Sequence, residues 1–217
     1  MPMTNLAPNP SAAGPDRISR RQVDKFAERR AQLAGSALLT LSELGYTRTS
    51  LREIAQNSEF SHGVLHYYFK DKLDLITEGV RQYKAVCVLR YDDVVEQSRT
   101  ADELLAGFGA TMAETLRCDA PTHRLWYDLR TQSFFEPGLR EDIVAIDAGL
   151  ERMIWRVVAR FGQLAGTPIT VSSAVAYGLF DGIFQQALLK YSFGEEDAPE
   201  QLQQTVQELL KGLLTRP

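Results

Sequence analysis

The chain has 217 residues, 44% of them apolar and 24% charged. This is enough for a sizeable core and is the composition of a soluble globular protein, not of a collagen-like, disulfide-framed or disordered one. The formal net charge of −4 excludes a wholly basic nucleic-acid protein. It hides an asymmetry, however: residues 17–72 carry ten Lys/Arg against six Asp/Glu, and residues 73–217 carry fourteen against twenty-one. A basic head on an acidic body suggests a polyanion partner for the head alone.

The N-terminal "MPMTNLAPNPSAAGPDR" has no apolar run of signal-peptide type, and its composition predicts a disordered tail over residues 1–18. No later stretch approaches a membrane span, so a cytoplasmic protein without a membrane partner is expected. From residue 19 onward the apolar spacing is helical throughout, and capping boxes mark several starts. Ser19 with Gln22 opens a first helix, whose stripe of Phe26, Ala34, Ala37, Leu41 and Leu44 stops at Gly45. Ser50 with Glu53 opens a short second helix and Ser61 a third. Asp71 with Asp74 begins a fourth, whose stripe runs through Ile76, Val80, Tyr83, Cys87, Tyr91 and Val94. That implies about 27 residues, or roughly 40 Å.

Thr100 with Glu103 starts a fifth helix, and Pro121 separates it from a sixth. A seventh ends before Gly166, an eighth begins near Val171, and Asp197 with Glu200 caps a ninth. Nine helices and no alternating strand pattern make the expected fold class all-α. The domain division is tail 1–18, head 19–72 and body 73–217. Cys87 and Cys118 form no CxxC or Cys/His cluster, and no nucleophile elbow, metal spacing or phosphate loop is present. No cofactor, metal or catalytic residue is therefore expected, and the chain does not read as an enzyme.

"SLREIAQNSEFSHGVLHYYF" gives two short amphipathic helices joined by a tight break, at helix-turn-helix spacing. Leu51, Ile54, Ala55, Phe60, Leu65 and Phe69 are the inward positions. Ser61, His62, Gly63, His66 and Tyr67 are left on the outer face of the second helix, the one that enters the major groove in such motifs. The longer stretch "TRTSLREIAQNSEFSHGVLHYYFKDKLDLI" resembles the DNA-binding head of the TetR family of bacterial transcriptional regulators, over roughly residues 20–80. A small residue, a basic residue, Gly and an apolar-aromatic-aromatic run ending in Phe and Lys-x-Lys carry the likeness.

The resemblance implies a homodimer, double-stranded operator DNA as partner and a small-molecule effector bound in the C-terminal body. It assigns Thr47, Thr49 and Ser50 to phosphates, His62 and Gly63 to bases, and His66, Tyr67 and Tyr68 to the DNA backbone. Ser61 belongs to the same interface, and Lys72 is assigned to a phosphate at the start of helix four. Three positions depart from the family pattern: Glu59 stands for a turn glycine, His62 for a frequent lysine and Tyr68 for the usual histidine. The basic "RISRRQ" at 17–22 reads either as an arm toward a minor groove or as a solvated helix start.

In the body, "THRLWYDLRTQSFF" groups His123, Trp126, Tyr127 and Arg130, with Trp155 available from helix seven, as an aromatic wall with a cation. The same residues also read as core aromatics beside a surface Arg–Asp pair. Helix eight is apolar nearly all round. Ala176, Leu179, Ile183 and Ala187 are assigned to one core, and Phe180, Phe184 and Leu188 to a second surface. With Val206 and Leu210 of helix nine, these form the expected dimer contact. A central helix buried within one monomer is the other reading. The function expected is a ligand-responsive regulator, a repressor released from its operator. A helical binding protein or enzyme whose head does not touch DNA stays open as the alternative.

Overall fold

The computed structural model describes residues 14–45 and 49–214, with side chains from residue 22 onward. Nine α-helices lie among them: α1 (Gly14–Leu44), α2 (Leu51–Gln56), α3 (His62–Tyr68), α4 (Lys72–Cys87), α5 (Asp92–Gln97), α6 (Ala101–Gln132), α7 (Arg140–Ala165), α8 (Ser173–Ser192) and α9 (Ala198–Gly212). The fold class is all-α, with one 3-10 turn at Pro137–Leu139 and a single isolated bridge between Ile169 and Leu214. Among the described residues no helix is long and apolar enough to cross a membrane. Helix α6 is the hub, packing against α1, α7, α8 and α9, while α1 crosses α4.

Local chemistry explains most of the starts. Ser50 accepts from the Glu53 amide, and the Glu53 carboxylate accepts from the Ser50 amide, closing one capping box; Thr100 and Glu103 close another. The side chains of Ser61, Asp71 and Ser172 each accept from the amide three residues on. Asp197 flanks α9 but makes no side-chain cap, and its carboxylate accepts from Gln201 instead. Helix α1 begins at Gly14, five residues ahead of the expected Ser19 start.

Two boundaries differ from the periodicity, and the differences cancel in the count. The stripe from Ile76 to Val94 is not one helix. α4 ends after 16 residues, about 24 Å, and α5 resumes at Asp92. The Val88 carbonyl in the break accepts from Arg156 of α7 at 2.6 Å, and the same guanidinium pairs with Asp92. Tyr91 stays buried with its edge against Phe108, 4.9 Å between centroids, so the apolar phase survives the break. Conversely, Pro121 does not end a helix. α6 runs through it for 32 residues, and Ala120, Thr122 and His123 are buried around it. An interior proline costs on the order of 3 kcal/mol, and the packing of α6 on its neighbouring helices offsets that.

The contact of α1 with α4 depends on a glycine. A Cβ at Gly79 would lie 2.9 Å from the Ala34 carbonyl oxygen, a backbone atom that cannot swing away. This close approach ties the first helix of the head to the helix that enters the body.

Candidate DNA-reading head and ligand cavity

Helix α3 is too short to be stable alone, and three anchors hold it. Leu65 and Phe69 are fully buried. Arg30 of α1 stacks over the Phe69 ring at 4.6 Å, donates to the Tyr68 carbonyl at 2.7 Å and pairs with Asp74 and Glu78 of α4. The pairing with Asp74 holds that carboxyl below its ordinary range and raises the Arg30 pKa. The end of α3 is thereby bolted to both α1 and α4.

Between α2 and α3 the turn closes without a left-handed residue, since no described non-glycine residue has positive φ. Glu59 thus sits unstrained where a glycine was expected. Asn57 donates to the Glu53 carbonyl, Thr40 to the Asn57 carbonyl, and the Phe60 amide to Ser58.

The outer face of α3 presents His62, Gly63, His66 and Tyr67 to solvent. A Cβ on Gly63 would meet nothing within 4 Å, so the backbone is open there. His62 and His66 lie one turn apart with their Nε2 atoms 3.1 Å from each other, and the Tyr67 side chain is 72% exposed. Tyr68 is half-buried against Phe26, 4.7 Å between centroids, and is part of the packing. Ser50 and Ser61 are exposed, with their hydroxyl oxygens accepting from Glu53 and Val64 amides. Thr49 is buried and donates its hydroxyl to the Gly45 carbonyl at 2.5 Å. Thr47 lies outside the described residues. Lys72 is half-buried in the first turn of α4; burial lowers its pKa, while the carboxylates of Asp128 and Glu53 act the other way.

In the body, a cavity of about 50 Å³ lies between α4, α6, α7 and α8. His123, Trp126 and Tyr127 line it as expected, and Trp155 and Arg130 do not. Trp155 packs half-buried against the core. Arg130 is committed elsewhere: it pairs with Asp181 of α8 at 2.5 Å and reaches Asp147 of α7 at 3.4 Å. Tyr127 donates to Asp181 at 2.9 Å and Tyr177 to Asp147 at 2.5 Å. Arg130 is thus shared by two carboxylates that each also accept from a tyrosine hydroxyl, and the network pins three helices together. Burial pushes the Tyr127 and Tyr177 hydroxyls far above their ordinary pKa, so both remain donors.

The cation inside the cavity is Lys84, 2% exposed. Its ammonium donates to His123 Nδ1 at 3.4 Å and sits 5.0 Å from the Trp126 ring centroid. With Nδ1 accepting, the imidazole proton is on Nε2, which faces Tyr83 Oη at 3.0 Å. Burial lowers the Lys84 pKa to about 8 and drives that of His123 well below its ordinary value, keeping the imidazole neutral. The sequence carried a signal for this residue: Lys84 stands four residues after Val80 and three before Cys87, in phase with the apolar stripe of α4.

The expected dimer residues face into the monomer. Phe180, Phe184 and Leu188 are buried within the monomer, and Phe180 and Phe184 line the cavity; Val206 and Leu210 are fully buried as well. None of the five is available to a second copy. Helix α8 does carry two apolar faces, but the outward one is Val175, Leu179 and Leu189, with Leu189 56% exposed and Gly178 open between them.

A short helix pair held on buried Leu51, Ile54 and Leu65, with the outer face of its second helix exposed, has helix-turn-helix form, here carried on an all-helical body with a cavity. Residues 36–78 match the family described as "Bacterial regulatory proteins, tetR family". It is similar to the HTH-type transcriptional regulator BetI of Burkholderia thailandensis, 30% identical over 115 residues, which are 52% of this chain and 58% of that protein. The chain thus spans little more than half the length of that curated relative.

The fold resembles that of the regulator FadR from Bacillus subtilis, solved with stearoyl-CoA, at TM-score 0.67 and 20% identity over 82% of this chain and 96% of that one. It also resembles a putative regulator from Saccharomonospora viridis solved with choline, at TM-score 0.71 and 17% identity, covering 88% of this chain and 100% of that one. At these identities the likeness concerns the fold.

Proposed function

We propose that the chain is a ligand-responsive, DNA-binding transcriptional regulator, a cytoplasmic repressor that leaves its operator when a small molecule enters the body. One observation carries this reading: α3 holds an exposed, hydrogen-bonding face rigidly on a buried Leu65 and Phe69. His62 and Gly63 at its N-terminal end meet base edges, while Ser50, Ser61, His66, Tyr67 and Lys72 hold the DNA backbone. Thr49, with its hydroxyl already given to Gly45, shapes the turn before α2, and Tyr68 sets the pose of α3 on Phe26.

The chain pairs as a homodimer through the Val175–Leu179–Leu189 face of α8, together with the outer side of α9. Three exposed apolar side chains on one face of α8 support this assignment. Two recognition helices must then fit successive major-groove faces, about 34–36 Å apart.

Helix α4 couples the two ends. Its first turn follows the end of α3, and Lys84 and Cys87 near its last turn line the cavity. A ligand that binds better to a body with α4 tilted lowers operator affinity by no more than its preference between the two states.

Selecting DNA from a random pool on the full chain, followed by gel shift over a salt series, tests the reading. Enrichment of a two-fold symmetric site with salt-sensitive binding is expected. Recovery of no preferred sequence would remove it.

A further inference from the structure

The cavity is unusual in its polar groups. Two of its lining residues carry nitrogen donors, and both are nearly solvent-free: Lys84 at 2% and Trp126 at 1% exposure. Trp126 Nε1 has no hydrogen-bond partner among the described residues, although a buried indole donor normally finds one. Lys84 has one weak acceptor, His123 Nδ1 at 3.4 Å. Among the described residues no carboxylate lies within ion-pair distance of it. Asp181, the one carboxylate among the cavity-lining residues, is already held by Tyr127 and Arg130. A buried ammonium without a counter-ion is costly. An ammonium with one weak acceptor and an indole N–H with none have the same remedy, a ligand that brings negative oxygen atoms.

We propose that this cavity is a receptor for a compact organic carboxylate, one oxygen taking a charge-assisted bond from Lys84 and the other a bond from Trp126 Nε1. Its hydrocarbon part lies against Tyr91, Phe180 and Phe184, which line the same space. The assignment rests on reading the body as the sensing part and names the chemistry it senses. A quaternary ammonium, the usual guest of aromatic walls, is disfavoured here, because the Lys84 ammonium already lies 5.0 Å from the Trp126 ring. An incoming cation would meet a cation.

Binding is also tied to proton uptake. The groups facing Lys84 are His123 and Asp119 of α6, Asp181 of α8, Cys87 of its own helix and Arg90 just after it. Arg90 and Asp119 pair with each other at 2.6 Å, and His123 stays neutral; burial makes Lys84 change charge near pH 8.

Calorimetric titration of the full chain with straight-chain carboxylates from acetate to hexanoate and with benzoate tests the proposal. The matching amides and tetramethylammonium serve as comparisons, with tryptophan emission followed in parallel. At least one carboxylate is expected to bind about tenfold or more tightly than its amide. Its affinity should fall about tenfold per pH unit above pH 8, be lost in Lys84→Met and persist in Lys84→Arg. Equal or tighter binding of the amides or of tetramethylammonium, binding unchanged in Lys84→Met, or no carboxylate binding at all would each overturn it. Gel shifts on selected DNA separate the two levels: release by a neutral or cationic probe defeats the carboxylate assignment and leaves the regulator standing. Failure to bind any DNA defeats the regulator, while the titration still decides the cavity.

Discussion

The head and the body place their candidate contact residues in opposite ways. In the head, His62, Gly63, His66 and Tyr67 stand in solvent on one seven-residue helix, and the buried residues beneath them only hold the pose. In the body, Lys84, His123, Trp126 and Phe184 come from three helices, are almost wholly buried, and are themselves the candidate contacts. The contrast fits the two kinds of partner proposed. A rigid polyanion must be met by an outer face, whereas a small molecule gains from few contacts unless water is excluded around it.

Substitutions can break this contrast, and the largest effect belongs to the support under the head. Phe69→Ala removes a buried ring that Arg30 covers, and should cost about 3–5 kcal/mol in urea unfolding. A loss under about 1 kcal/mol would mean that α3 is not held as described.

The body predicts the reverse sign. Lys84 has a folded-state pKa of about 8 against an ordinary 10.5, so above pH 8 the unfolded chain holds more protons and the native state gains stability as pH rises. Lys84→Met should therefore be more stable than the parent by up to about 3 kcal/mol at pH 7, with the gap closing between pH 8 and 10. A parent that outlasts the variant at pH 7 in thermal unfolding would contradict the uncompensated charge.

Smaller effects sharpen the head. His62→Ala should relax the preference at one base pair of each half-site, by about 1–3 kcal/mol, in a competition assay across single-base variants. An unchanged profile would take His62 out of base reading. Lys72→Ala should weaken all sequences alike and lower the salt slope by about one; an identical slope would leave Lys72 to Asp128 and Glu53.

How much was legible in the sequence divides along the same line. Caps at Ser50, Ser61, Asp71 and Thr100, and the inward positions Leu51, Ile54, Leu65 and Phe69, depend on neighbours a few residues away, and local pattern finds them. The break after Cys87 did not show, because the apolar phase continues through Tyr91 and the stabilising group, Arg156, comes from α7. Pro121 misled for the opposite reason: the helices packed on α6 override a local breaker. Two apolar faces on α8 were legible, but not which faced inward, since periodicity carries no absolute phase. Arg130 looked like the cavity cation because of its aromatic neighbours; Asp181 and Asp147, which claim it, are 51 and 17 residues away. Lys84 carried the better clue, a charge standing within an apolar stripe.

The central claim, that α3 reads a DNA sequence, is tested most directly by fluorescence anisotropy with the full chain. Selected DNA is compared with a shuffled duplex of equal length and composition at one fixed salt concentration. Binding to the selected duplex about a thousandfold or more tighter than to the shuffled one is the predicted result. Equal affinity for the two would contradict it.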